Sequence, residues 1–497
     1  MDHREFVACA SFAKRFKIGF AADDWSETVN NMSRTSFTRI FVCFMVLLAC
    51  HANIFAANFV DRRGTLDPDF KRFAAEKRAL TKQIGEQHEL SIPPIVWEFY
   101  DSVDRADWQT SSNHFYKLEA GTGRHGGDPW LPIAIWGAIH ETFGAYEQFH
   151  SWNPRLLHRF GETILNRIPA GSIYFGGTDA GRFVVSALSD SHSEGRPFFT
   201  LTQNALADGS YLDYLRDMYG TKIHLPTGED SQRAFQEYLT GAQKRLQDGR
   251  LKEDESVKIE GNRVQVSGVV AVMSINELLV KVIIDKNPTR EIYLEESYAL
   301  ESLYGQSLPH GLIFKVTHQP LEQLPGPVVE ADHQFWTDEC RKLVGNVIEE
   351  GTSVTELCSW SERVLLRQES RSFEGDREFL KGAQAPQYYS QCRSALAAYY
   401  HWWSKQSEKS EAVSLANEAD LAHRQAVALS PYNPTVVWRY ADYLIQKQRT
   451  NDARLLIETT LRLDPEKRMD IDSDQLRGSL KKLRAQAANF SSSGDKQ

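Results

Sequence analysis

Residues 172–188 read Ser-Ile-Tyr-Phe-Gly-Gly-Thr-Asp-Ala-Gly-Arg-Phe-Val-Val-Ser-Ala-Leu. The apolar run at the start predicts a short buried strand, the glycines predict a tight turn, and the apolar residues at 183–188 predict a helix. The same order recurs at 198–201, where an apolar run is followed by a polar loop and a predicted helix at 211–219. Units of this kind place the turn where phosphate and nucleotide ligands bind in open sheets covered by helices.

Further strands are predicted at 291–294 and 311–316, with a helix at 269–284 between them. Strands that alternate with helices favour a small, mostly parallel sheet flanked by helices. Residues 257–266 predict a β-hairpin, because Gly261-Asn262 separates two short alternating runs. The middle of the chain is therefore expected to be an α/β domain.

The regions on either side of this domain are expected to be helical. We predict a helical N-terminal region at 58–168, the α/β domain at 169–326, and a second helical region at 327–490, because strand signals stop after Pro327. The first helix, predicted at 67–87, is rich in charge and is expected to be solvated. The fold class expected for the whole chain is α/β plus all-α, with a disordered tail at 491–497.

The second helical region contains an internal repeat. Pro431 and Pro465 are 34 residues apart, and Ala419 and Ala453 share this spacing. Thirty-four is the period of tetratricopeptide repeats, and residues at about 400–466 resemble that family. The positions that match its alternation of large and small side chains are Tyr440, Ala441, Leu444, Ala453, Ile457 and Pro465. The resemblance implies paired helices, brought close by small residues, with a groove that binds a protein partner.

The loops after the first two predicted strands contain the candidate ligand-binding residues. If both strands are parallel neighbours, the loops at 176–182 and 202–208 emerge at the same edge of the sheet. The residues that would line a common crevice, able to hold a sugar or phosphate group by hydrogen bonds, are Thr178, Asp179, Arg182, Gln203, Asn204 and Asp208. The glycine spacing matches neither the dinucleotide fingerprint nor the P-loop. The alternative is that these side chains cap helices, form ion pairs and satisfy loop amides.

Two carboxylates, Glu295 and Glu296, end the third predicted strand. One of them could pair with Arg182 or act as a base in the crevice. The alternative is a pair of exposed charges at a strand end.

Residues 168–316 are similar to the soluble C-terminal region of bacterial membrane proteins of the protein O-mannosyltransferase-like class. The matching segments are 173–179, where a strand ends in a Gly/Asp/Thr loop; 198–216, which ends in Tyr-Leu-x-x-Leu-Arg; and 311–315, which reads Gly-Leu-Ile-Phe-Lys. In that class a multi-helix membrane portion would transfer the sugar, and this chain has at most one membrane segment, so no catalytic residue is carried over. The resemblance implies an extracytoplasmic domain that binds glycans or protein partners.

The N-terminal stretch 1–57 is expected to be an upstream extension followed by an export signal. An apolar run at 40–49 follows two arginines and Met32, which we expect to be the true start. Three outcomes stay open: cleavage near Ala56 or Ala57, lipidation of Cys50 in a lipobox-like Leu-Leu-Ala-Cys, or retention as a membrane anchor. Each predicts an extracytoplasmic protein, periplasmic or anchored facing the periplasm.

Composition and charge limit the function further. The chain has 497 residues, a net charge of −9 and 41% hydrophobic residues, typical of a soluble globular protein, and it lacks the basic block that a nucleic-acid partner requires. Cys340, Cys358 and Cys392 are expected to be buried thiols, although a bridge between Cys340 and Cys358 is an alternative. No metal, cofactor or nucleophile motif is predicted.

The favoured function is an exported, tetratricopeptide-like interaction protein without catalysis, attached to a membrane by a signal anchor or lipid at most. The alternative is a sugar- or nucleotide-sugar-binding protein, or a glycosyltransfer-related enzyme, that uses the crevice.

Overall fold

The computed structural model describes residues 65–124, 126–251, 255–260, 263–369 and 373–463, together with positions 481 and 485. The predicted export signal, including Cys50, lies outside the described residues, as do Pro465 and the tail at 491–497.

Within the described residues, five α-helices precede the sheet. They are α1 (Pro68–Gln87), α2 (Pro94–Asp104), α3 (Trp108–Gly121), α4 (Trp136–Ser151) and α5 (Pro154–Leu165). The first begins where the Asp67 carboxylate accepts a hydrogen bond from the Asp69 amide and Pro68 occupies the first turn. The prediction that this helix is solvated was wrong: one face, including Phe70, Phe73 and Lys77, is fully buried or nearly so.

The central sheet has five strands: β1 (Ile173–Gly176), β2 (Phe199–Thr202), β5 (Ile292–Leu294), β6 (Ser307–His310) and β7 (Ile313–Val316), in the order β2-β1-β5-β7-β6. Strand β1 pairs in parallel with β2 and β5, whereas β7 pairs in antiparallel with β5 and β6. The sheet is therefore mixed, and the prediction of a mostly parallel sheet was wrong. A two-residue turn at Gly311-Leu312 joins β6 to β7, and so short a connection allows only an antiparallel hairpin.

Helices between the strands cover the sheet. After β1 a π-helical turn (Ala180–Val184) leads into α6 (Val185–Leu188), and α7 (Gly209–Tyr219) and α8 (Gly228–Gln247) follow β2. Strands β3 (Ser256–Glu260) and β4 (Arg263–Ser267) form the predicted hairpin, and α9 (Val269–Lys286) leads back to the sheet. The short helix α10 (Glu301–Tyr304) lies between β5 and β6.

The described part of the C-terminal region is helical, as predicted. Its helices are α11 (Gly326–Val344), α12 (Val354–Ser361), α13 (Arg377–Lys381), α14 (Gln384–Gln406), α15 (Lys409–Leu429), α16 (Pro434–Gln446) and α17 (Thr450–Leu463). Helices α14 and α15 form one hairpin, and α16 and α17 form a second. Buried apolar residues from Phe70 to Ile457 make one connected cluster that joins these helices to the sheet. Among the described residues, no helix combines the length and apolarity needed to cross a bilayer.

Candidate functional site

The glycine-rich loop after β1 holds a carboxylate from its own chain. The amides of Gly177 and Thr178 donate to one oxygen of Glu295 at 2.8 and 2.7 Å, and the Thr178 hydroxyl donates to the other at 2.5 Å. Glu295 directly follows β5, the parallel neighbour of β1, so its side chain reaches the loop from the adjacent strand. An internal carboxylate thus occupies the position at the helix start where open α/β sheets bind anionic ligands.

Gly181 fits this arrangement because no side chain can occupy its place. A Cβ atom there would lie 1.7 Å from a carboxylate oxygen of Glu295. Glu295 is fully buried, and burial raises the pKa of its carboxyl, while the hydrogen bonds from Thr178 and Gly177 act in the opposite direction. Of the two interpretations of Glu295, the alternative of an exposed charge at a strand end was therefore wrong.

Gln203 and Asn204 also form hydrogen bonds with other segments of their own chain. The side-chain oxygen of Gln203 accepts hydrogen bonds from the amide and hydroxyl of Ser297, at 3.3 and 3.1 Å. The Asn204 carbonyl accepts from the Asn276 side chain at 3.0 Å. These contacts join the loop after β2 to the loop after β5 and to α9.

The remaining crevice residues form ion pairs. Asp179 pairs with Arg182 one turn further along the chain. Asp208 caps α7 by accepting from the Ser210 amide, and it pairs with Arg124 at 2.5 Å. The six predicted residues do lie at one end of the sheet, but their described contacts are caps, ion pairs and loop hydrogen bonds.

His140 on α4 lies among these ion pairs. Its ring packs against Trp136 and Phe183, and loss of water around the ring, together with the charge of Arg182, lowers its pKa to about 4. Its neutral imidazole is therefore compatible with the cationic Arg182 nearby.

A loop with an exposed aromatic side chain borders the same end of the sheet. Trp130 is 49% exposed, and its indole lies on Gly121, where a Cβ would come within 2.4 Å of the ring. The Trp130 amide donates to the Gly121 carbonyl at 2.9 Å, which fixes the loop end to α3. Arg124 fixes the middle of the loop through Asp208.

Sequence reasoning missed a buried charged network below this edge. The Lys77 ammonium lies 2.6 Å from the Glu141 carboxylate and 2.6 Å from Nδ1 of His192, and it donates to the Tyr214 hydroxyl at 3.0 Å. Tyr214 in turn donates to Glu141 at 2.7 Å. The network joins α1, α4, α7 and the loop that precedes β2.

The protonation state of this network follows from its contacts. Because Lys77 donates to Nδ1 of His192, that nitrogen is an acceptor, and the proton resides on Nε2, 3.2 Å from the Tyr219 hydroxyl. Burial and the charge of Lys77 lower the pKa of His192 to about 4, and Lys77 holds the pKa of Glu141 below its usual range despite burial. The network is a Lys–Glu ion pair with a neutral histidine. The only sequence signal was a lysine on the apolar face of α1.

The carboxyl group of Glu296 is also buried, at the junction between the sheet and the C-terminal helices. One oxygen accepts from the Tyr304 hydroxyl at 3.1 Å, and burial raises the pKa of this carboxyl to about 7, although Arg439 on α16 acts to lower it. The alternative of an exposed charge was wrong for Glu296 as well, because its side chain is buried.

The described residues of the predicted repeat pattern are all fully buried: Tyr440, Ala441, Leu444, Ala453 and Ile457. The Tyr440 hydroxyl donates to Asp420 on α15 at 3.1 Å, and Asp420 also pairs with Arg449 at 2.7 Å. These contacts join the second helical hairpin to the first.

Cys340, Cys358 and Cys392 are buried thiols that form no disulfide, which confirms the prediction of three thiols over a bridge. Within the described ranges, Asp67, Asp69 and His158 bring possible metal-ligand atoms within 4.8 Å of one another. Asp67 already caps α1 and hydrogen-bonds His158 at 2.8 Å. The absence of a metal stays a prediction.

Comparison with known proteins gives no relative to argue from. No protein-family model matches the chain, and neither a curated protein nor a solved structure matches it.

Proposed function

We propose that this chain is an exported interaction protein without catalysis, and that a protein partner binds at its C-terminal helices. The 34-residue spacing and the small residues at Ala441 and Ala453 support a tetratricopeptide-like helix pair in α16 and α17. Both alanines are fully buried. Close helix packing of this kind leaves the opposite face of the first helix available to a partner.

The first hairpin offers less surface, because the sheet covers one face of α14. The Tyr399 hydroxyl donates to the Ser307 carbonyl of β6 at 2.5 Å, and its ring packs on Tyr304 and Phe314. A partner surface on α14 would therefore have to exclude this face. The proposal depends mainly on α16.

One observation carries the proposal: α16 presents a partly apolar stripe away from its buried face. Trp438 is 36% exposed, and Asp442 and Ile445 follow it at helical spacing without being fully buried. Tyr440, Ala441 and Leu444 on the other face hold the helix in place. Tryptophan is among the side chains that are enriched at binding hot spots.

Site-specific photocrosslinking in the full chain tests this proposal. A photoreactive residue at Asp442 is expected to give a discrete adduct with one polypeptide. The matched control is position 413 on α15, where Val413 is 59% exposed but lies outside the stripe. Adducts that are equal at both positions, or absent at 442, would argue against a partner at α16.

We also propose a second function, binding of a glycan at the loop that contains Trp130, because one observation favours it. Trp130 offers a half-exposed indole that is fixed on Gly121, beside the Arg124–Asp208 pair. Saccharide titration monitored by tryptophan fluorescence should saturate in the full chain and not in Trp130→Ala, with Trp438→Ala as the control. A response that is unaltered in Trp130→Ala would remove this candidate.

A further inference from the structure

An open groove of about 970 Å³ lies between α5 and α11, and none of the residues used in the proposed function lines it. Charged and polar side chains line most of it, and Phe335 contributes an aromatic ring. The groove includes the turn after α5, where Asn166 and Arg167 lie.

Nearby cations or histidine already partner most carboxylates of the groove. Glu339 pairs with Arg159 at 2.6 Å and with Lys342 at 3.2 Å. Asp338, at the same helix surface, pairs with Arg341 at 3.1 Å. His158 lies 2.8 Å from Asp67 and 3.8 Å from Glu162.

Arg167 differs from these cations. Across the residues that the structure describes, no carboxylate lies within 4.0 Å of its guanidinium and no side-chain hydrogen bond from it is formed. Lys342 and Arg159 share a carboxylate, whereas Arg167 has none. Arg167 is therefore the groove cation with charge and hydrogen-bond donors left for a ligand.

Three contacts hold Arg167 in position. Its guanidinium carbon lies 4.5 Å from the centroid of the Phe335 ring, and its carbonyl contacts Nε2 of His310 at 3.0 Å. Its Nε lies against Gly311, where a Cβ would approach to 2.8 Å. Gly311 adopts φ +76°, so the same residue forms the β6–β7 turn and leaves room for the arginine.

We propose that this groove binds an oxyanion, a carboxylate or a phosphate, through the guanidinium of Arg167. A planar guanidinium offers paired N–H donors that match both anions, and stacking on an aromatic ring keeps it oriented and reduces the ordering cost on binding.

Binding to the full chain tests the proposal, with inorganic phosphate and succinate as separate probes at constant ionic strength. Phosphorus NMR line broadening follows phosphate, and calorimetry follows both probes. The variant Arg167→Met keeps apolar contact with Phe335 but lacks the charge. The control Arg155→Met removes another cation that lines the groove and is already paired with Asp376 at 2.6 Å.

We expect saturable binding of at least one probe, weakened at least tenfold in Arg167→Met and less than twofold in Arg155→Met. Saturation by phosphate alone would identify a phosphate site, and saturation by succinate alone a carboxylate site. No saturation with either probe in the unmodified chain would refute the proposal, as would equal losses in the two variants. If Arg167→Met fails to fold, Arg167→Lys replaces it, since loss of the planar fork should also weaken binding.

Discussion

Replacing Glu295 by alanine tests the internal closure of the glycine-rich loop. The substitution leaves the amides of Gly177 and Thr178 without their carboxylate acceptor. Each buried donor without an acceptor costs about 1–3 kcal/mol. Part of this cost is offset, because burial destabilises the charged carboxylate of Glu295 and raises its pKa, and the substitution removes this group. We therefore expect the free energy of unfolding to fall by about 3 kcal/mol.

The assay is urea denaturation at neutral pH, with Glu291→Ala as the matched control. Glu291 lies just before the same strand and pairs with Lys315 at 2.5 Å, but this pair is partly exposed to solvent, whereas Glu295 is fully buried. Its removal should cost under about 1 kcal/mol.

Anion rescue makes the test specific to the loop. Acetate or formate can occupy the space that the Glu295 side chain leaves and accept from the same amides. The midpoint of Glu295→Ala should therefore rise with acetate more than with chloride at equal ionic strength. A loss no larger than that of Glu291→Ala, or equal responses to acetate and chloride, would refute the reasoning.

Three further predictions concern other buried or strained groups. The carboxyl of Glu296 has a pKa of about 7 in the folded protein against 4.5 as the ordinary value, so its contribution to stability is present below 4.5 and is lost as pH rises to 7. The free energy of unfolding of Glu296→Gln should equal that of the unmodified protein near pH 4 and exceed it at pH 8 by up to about 3 kcal/mol. Urea denaturation at several pH values measures this difference, and the control Glu301→Gln, at an exposed position, should show none. Lys77→Met leaves Glu141 buried without its cation and should lower the free energy of unfolding by about 3–5 kcal/mol. The control Lys71→Met, on the exposed face of the same helix, should change it little. Equal midpoints of the two variants in thermal denaturation would contradict this prediction. Gly311→Ala should lower the free energy of unfolding by about 1 kcal/mol or more, because alanine is strained at the positive φ of this position. Thermal unfolding followed by far-UV circular dichroism measures this loss, and an unchanged midpoint would contradict the prediction.

The strands were predictable where an apolar run is buried on both faces. Strands β1, β2, β5 and β7 all coincide with such runs, and each lies inside the sheet or beneath a helix. Strand β6 was missed because Ser307–His310 contains a proline and only one large aliphatic residue. Proline is tolerated there because β6 is an edge strand. Whether the last two strands pair in parallel or antiparallel depends on the short turn at Gly311, and the pattern of apolar runs did not reveal this turn.

The candidate site was predictable in position and not in contacts. Thr178 and Gln203 do lie at the carboxyl ends of neighbouring parallel strands, as the order of elements predicted. Glu295, the group that fills the loop, is 117 residues from Thr178 in sequence, and no local pattern indicates such a contact. Lys77 shows the same limit: its charge suggested a solvated helix, yet its partners come from α4, α7 and the loop before β2.

The contribution of Trp438 to partner affinity is the most direct test of the proposed function. The polypeptide captured at position 442 would be titrated calorimetrically into the full chain, Trp438→Ala and Val413→Ala. Loss of a central tryptophan anchor costs about 2 kcal/mol or more, so Trp438→Ala should weaken binding roughly thirtyfold or more while Val413→Ala stays near the unmodified affinity. Unchanged affinity in Trp438→Ala, with folding intact by circular dichroism, would contradict a partner surface on α16.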